Sequence, residues 1–204
     1  MVRVVAPAGP FLPEPFERGL AVLRGRLGLQ PRMRTDVTTR SGYLAGGDDR
    51  RLAEWREAAA DGEARAVWCA RGGYGSMRLL PALEPERLLR TPRLVIGFSD
   101  ITALHLALNQ AGLATVHGPV VTQLGQLPAD ALDHLEALLF GRPGPPVDGG
   151  PGPGAGVTGR GVIRAGRAAG PLLGGSLTLL AALCGTPWQP RLAGAVLFLE
   201  EIGE

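Results

Sequence analysis

Leu94-Val95-Ile96-Gly97-Phe98-Ser99-Asp100-Ile101-Thr102-Ala103-Leu104 decides the reading of the chain. The apolar run Leu94 to Ile96 reads as a short buried strand. After a Gly-Phe-Ser-Asp turn, Ile101, Leu104, His105 and Leu108 recur at helical spacing, so a helix follows at once. A serine between a buried strand and a helix has its hydroxyl lifted out of the sheet. The next backbone N–H, that of Asp100, lies at a helix N-terminus, where donors are unpaired and negative charge is favoured. The arrangement resembles a nucleophile elbow, although Ile101 stands where Gly-x-Ser-x-Gly has its second glycine. The simpler alternative is that Ser99 or Asp100 merely caps the helix.

Working outward, Val2 to Ala6 is a short β-branched strand closed by Pro7-Ala8-Gly9-Pro10. No Gly-x-Gly-x-x-Gly or Walker pattern follows Gly9, which argues against nucleotide binding. Phe16, Leu20, Leu23 and Leu27 mark a helix. Met33 to Thr39 reads as a second strand, and Asp48 as the cap of a helix from Asp49 to Asp61. Ala64 to Cys69 is the next strand. It runs into Ala70-Arg71-Gly72-Gly73-Tyr74-Gly75-Ser76, a glycine-dense loop that either supplies oxyanion N–H groups and substrate contacts or is only a turn. A helix carrying Leu79, Leu80 and Leu83 follows. Leu113 to Val116 is a further strand, leading to His117, and residues 129–139 form a helix. His105 and His134 fall inside helical patterns and read as structural. His117 ends a strand and reads as a hydrogen-bonded loop residue.

Gly141 to Gly156 is dominated by Gly and Pro and sustains neither helix nor central strand. It divides the chain into an N-terminal α/β domain over 1–140, a linker over 141–160 and a second unit over 161–204. In that unit Val162 to Ala165 reads as a strand, Gly170 to Ser176 as a glycine turn, Leu177 to Leu183 as a buried helix, and Gly194 to Leu199 as a strand running into Glu200-Glu201. A buried strand that ends in an acidic cluster, in a unit too short to build a core alone, predicts that the sequence is a fragment lacking its C-terminal part.

The bulk numbers narrow the function classes. The net charge of +2 argues for neither a nucleic acid nor a membrane surface as partner. All 21 basic side chains apart from histidine are Arg. No apolar run reaches the length of a membrane span, and no signal-peptide pattern opens the chain. Cys69 and Cys184 lie far apart in apolar sequence and read as buried free thiols, not as a metal site or redox pair.

Seven segments, in order, are similar to the LD-carboxypeptidase family of serine peptidases, which also contains the microcin C immunity peptidases. They are Val4-Val-Ala-Pro-Ala-Gly-Pro10, Ala70-Arg-Gly-Gly-Tyr-Gly75, Ile96-Gly-Phe-Ser-Asp-Ile-Thr102, His117-Gly-Pro119, Leu173-Gly-Gly-Ser-Leu177, Gly185-Thr-Pro187 and Leu197-Phe-Leu-Glu-Glu-Ile-Gly-Glu204. The resemblance implies a flavodoxin-like parallel-sheet N-terminal domain and the beginning of a smaller, incomplete C-terminal α/β domain. It implies a cytoplasmic homodimer without metal or other cofactor, acting in peptidoglycan recycling on murein tetrapeptides.

Carried over by position, the resemblance makes Ser99 the nucleophile and Glu200 the triad acid, with Glu201 and Glu204 as acidic neighbours. The N–H of Asp100 and one from Gly72 or Gly73 form the oxyanion hole. Arg71 is the candidate for the substrate carboxylate, with Tyr74 and Ser176 as further substrate contacts. Ser176 stands where Asn is usual, and Glu201 where Asp is frequent. The family's histidine falls beyond residue 204, so residues 1–204 are expected to be inactive or nearly so. The implied reaction cuts the bond from an L-centre to a terminal D-Ala. The alternatives are hydrolysis of a peptide-nucleotide antibiotic and a catalytically dead module that binds murein peptides.

Overall fold

The structure, a computed structural model, describes residues 1–142 and 166–202. The expected strand at 162–165, most of the 141–160 linker, and Glu204 lie outside the described residues.

Strand β1 (Val2–Val5), β2 (Pro31–Arg32), β3 (Ala66–Cys69), β4 (Leu94–Gly97) and β5 (Val116–His117) form one parallel sheet in the order β2-β1-β3-β4-β5. That is the strand order of the flavodoxin-like fold that the family resemblance implies. Alternation along the strands fills both faces. Val5, Val67, Cys69 and Val95 enter one core layer, while Val2, Val4, Trp68 and Ile96 enter the other. Helix α1 (Pro13–Gly25), α5 (Val121–Leu124) and α6 (Ala129–Leu139) cover the second face. Helices α2 (Asp48–Ala60), α3 (Pro85–Arg90) and α4 (Thr102–Gln110) cover the first.

A second, two-stranded parallel sheet pairs β6 (Leu172–Ser176) with β7 (Val196–Glu200), bridged by helix α7 (Leu177–Leu183). Leu180 and Leu183 of α7 share the core layer of Leu104 and Leu108 on α4. Gly175 lets β6 press onto the start of α4, where an added Cβ would lie 2.4 Å from Thr102 Oγ1. The Ser176 N–H donates to that same oxygen at 3.1 Å.

Several elements differ from the sequence reading. The expected strand at Met33–Thr39 is a turn, and the paired residues are Pro31 and Arg32. Gly47, not Asp48, is the N-cap residue of α2, and Asp48 lies in its first turn. The 76–82 segment is a 3-10 helix, because Pro81 removes an N–H that an α-helix would need. Helix α3 escaped the sequence reading. The expected glycine turn at 170–176 is strand β6: the Phe198 carbonyl lies 1.8 Å from where a Gly174 Cβ would stand, so glycine is what lets β7 approach. Cys69 is buried as expected, but Cys184 is exposed, since α7 turns it away from the core.

Candidate active site

Four loops meet at the carboxyl edge of the five-stranded sheet, where α/β folds place their ligands. Ser99 follows β4 directly and opens a 3-10 turn, Ser99–Ile101, that leads into α4. Its φ is 60°, left-handed for a residue with a Cβ, so the elbow stores strain at the serine itself. Neither Ser99 nor Asp100 caps a helix, since no side-chain cap bond occurs at this turn or at the start of α4. The Asp100 carboxylate turns instead to the neighbouring loop and accepts the Ser76 N–H at 2.8 Å, while Ser76 Oγ donates to the Asp100 carbonyl at 2.5 Å. Asp100 is buried, and its pKa is raised by that burial.

The 71–75 loop lies against the serine. A Cβ added at Gly72 would stand 3.1 Å from Ser99 Cβ and 3.3 Å from Ser99 Oγ, so glycine at 72 permits the approach. The Gly9 N–H donates to the Gly72 carbonyl at 3.0 Å. Because the peptide is trans and planar, the Gly73 N–H points away from Gly9. Arg71 donates to the Pro10 carbonyl, and the exposed Tyr74 ring meets Tyr43 edge-on at 5.4 Å.

Glu200 ends β7, in register with Ser176, and its Oε1 lies 3.9 Å from His117 Nε2 on β5. His117 in turn pairs with Gly97, two residues before the serine. Burial raises the Glu200 pKa, with the neighbouring Glu201 carboxylate adding to it, and burial lowers that of His117. His117 Nδ1 and Glu200 Oε1 are both buried and have no hydrogen-bond partner among the described residues. Glu201 faces elsewhere: its Oε2 accepts the Thr178 N–H at 2.8 Å and lies 3.4 Å from Ser176 Oγ, within the first turn of α7. Ser176 is buried and caps α7, accepting the Leu179 N–H at 3.4 Å. Thus the structure brings Ser99, Gly72, Gly73 and Asp100 together and turns Glu200 towards β5. It directs the Ser176 hydroxyl to the α7 cap. His105 is the buried structural residue expected, its Nε2 bonded to the Gly97 carbonyl at 2.7 Å.

Phe98, His117, Gly118, Pro119 and Gln123 line a cleft of about 230 Å³ beside the elbow. A cavity of about 300 Å³, lined by residues that include Leu106, Gln110 and Arg191, contains none of these site residues. Among the described residues no group of three or more His, Cys, Asp or Glu side chains is placed to hold a metal ion, and no helix is long and apolar enough to cross a membrane. The sequence reading missed Arg51, which is fully buried behind the 72–75 loop.

The LD-carboxypeptidase N-terminal domain model matches residues 2–118, and the LD-carboxypeptidase C-terminal domain model matches residues 169–204. The chain is 37% identical over 218 residues to the murein tetrapeptide carboxypeptidase of Pseudomonas aeruginosa, with all of the chain and 66% of that protein covered. It superposes with a TM-score of 0.80 and 30% identity on the crystal structure of muramoyltetrapeptide carboxypeptidase from Oxalobacter formigenes, covering 100% of this chain and 66% of that one. The microcin C7 self immunity protein MccF shares the fold, at a TM-score of 0.77 and 21% identity, over 97% of this chain and 67% of that one. The chain spans 62–66% of the length of the curated relatives that match its whole length.

Proposed function

This chain belongs to the LD-carboxypeptidase family, and from that premise we propose that the whole protein is a serine carboxypeptidase that removes the terminal D-Ala of murein tetrapeptides. The observation that carries the reading is the strained Ser99 at the carboxyl edge of the sheet, so near Gly72 that a Cβ added there would stand 3.3 Å from its hydroxyl. The names of the Pseudomonas and Oxalobacter relatives supply the substrate class. Likeness to MccF, at 21% identity, speaks for the fold alone, so the antibiotic substrate stays behind the murein peptide.

In this mechanism Ser99 Oγ attacks the carbonyl of the L-centre and gives its proton to a general base. The C–N bond breaks, D-Ala leaves with the proton returned to its amine, and water hydrolyses the acyl-serine. The N–H groups of Asp100 and of Gly73 or Gly72 hold the oxyanion. Glu200 orients the base and stabilises its cationic form. No hydrogen bond joins Ser99 to a histidine among the described residues, and His117 presents its Nε2 to Glu200. In this proposal the base is the histidine that the family resemblance places beyond residue 204. Arg71 and Tyr74 line the approach of the peptide, with Arg71 free to exchange the Pro10 carbonyl for the substrate carboxylate. Ser176, the third substrate contact of the resemblance, instead uses its hydroxyl to cap α7. The division at 141–160, action in the cytoplasm and a homodimeric state belong to the same proposal. The test is D-Ala release from a murein tetrapeptide by the whole protein, together with covalent labelling of Ser99 by a fluorophosphonate. A protein that does neither is not this enzyme.

A further inference from the structure

We propose that Arg51 is a positioning residue for acyl transfer, holding the 72–75 loop at the distance from Ser99 that the oxyanion hole requires. The inference rests on the serine-peptidase reading above. Arg51 rises from α2 and is 0% exposed. Withdrawing a guanidinium from water is costly unless its donors are used. Its Nη1 donates to two carbonyls on separate loops, Pro7 at 2.5 Å and Gly75 at 2.7 Å. Its Nη2 donates to Asp48, whose other contact is Arg78 at the surface. One nitrogen thus joins the loop after β1 to the loop after β3. Those loops also meet through the bond from the Gly9 N–H to the Gly72 carbonyl, which orients the Gly73 N–H.

Asp100 grips the same loop from the opposite side, at the Ser76 N–H. The loop is therefore clamped at the Gly75 carbonyl by a cation from α2 and at the next amide by the carboxylate beside the nucleophile. Gly75 is required by this clamp. Its φ is 125°, and an added Cβ would lie 2.8 Å from Arg51 Nη1. An apolar side chain could fill the same volume. Holding both carbonyls and Asp48 at once takes a group with several donors in a fixed plane.

The experiment uses the whole protein with Arg51→Met and Arg51→Lys. It measures kcat and KM for D-Ala release per fluorophosphonate-labelled Ser99, so that an unfolded fraction does not count. Arg51→Met is expected to lower kcat about 100-fold, the scale of a misplaced oxyanion donor, with KM within about threefold. Arg51→Lys is expected to recover part of that loss. A kcat within about threefold of the parent, or a change confined to KM, overturns the proposal. Should Arg51→Met not fold, Asp48→Ala frees Nη2 of Arg51, together with Arg78, at a half-exposed site. It is expected to lower kcat about tenfold at unchanged KM, and an unchanged kcat overturns the proposal. A parent protein that neither labels nor releases D-Ala overturns the serine-peptidase reading itself, an outcome distinct from an active parent with an indifferent Arg51.

Discussion

Ser99 is held at φ 60°, where every residue except glycine is strained. The strain persists because β4 and the turn into α4 fix the backbone on either side. Ser99→Ala and Ser99→Gly are both expected to abolish activity. The glycine variant should be the more stable by about 1 kcal/mol in urea denaturation, the reverse of their order in a helix. His105 is the other residue whose environment makes a measurable claim. Burial pushes its pKa down from 6.5 to about 4, and the buried neutral ring bonds the Gly97 carbonyl at the base of the elbow. A depressed histidine stabilises the fold fully above its unfolded pKa, and the contribution drains away as pH falls through 6.5 towards 4. It amounts to at most about 3 kcal/mol. Glu54 and Asp100 are raised by burial and act with the opposite sign in acid, so the parent alone does not isolate the effect. The difference in unfolding free energy between the parent and His105→Gln should shrink over that window. A pH-independent difference would show that His105 carries no such linkage.

Among the elements, β4 with its helix was legible because an apolar run met a helical period with a four-residue turn between them. Strand β6 was not. Pro171, Gly174 and Gly175 carry turn chemistry, and only the partner strand reveals that the glycines admit the Phe198 carbonyl and Thr102. Arg51 was illegible for a related reason. An arginine in an amphipathic helix reads as solvent-facing, and the loop carbonyls that draw it inward come from Pro7 and Gly75, far away in sequence. The tandem Arg50-Arg51 was the available signal: Arg50 pairs with the buried Glu54, which itself accepts the Ala6 N–H at 2.7 Å. The β6–β7 pair yields a direct test. Gly174→Ala sets a Cβ on a backbone oxygen at φ 150°, so β6 must leave β7 and Glu200 loses its register with Ser176. The expected cost is about 3 kcal/mol or more, with loss of activity. A cooperative unfolding transition at the parent's midpoint would contradict this packing.

For the molecule as a whole, the proposed catalytic groups come from two sheets held together by α4, α7 and the contact of Ser176 with Thr102. Motif order proposed a nucleophile, the loop glycines and an acid, and the structure places Ser99 beside Gly72; the direction in which Glu200 and Glu201 face was not legible. Glu201 serves the start of α7 and Glu200 looks towards β5. Since the proposal takes its base from a histidine beyond residue 204, residues 1–204 produced alone should release D-Ala at no more than trace rates, measured with a coupled D-amino-acid oxidase assay. Rapid turnover would mean that His117 serves as the base after all. The most direct measurement is D-Ala release from a murein tetrapeptide by the whole protein beside its Ser99→Ala variant. The account predicts release by the parent and a loss of at least about a thousandfold in the variant. Equal rates in the two, or no release by either, would contradict it.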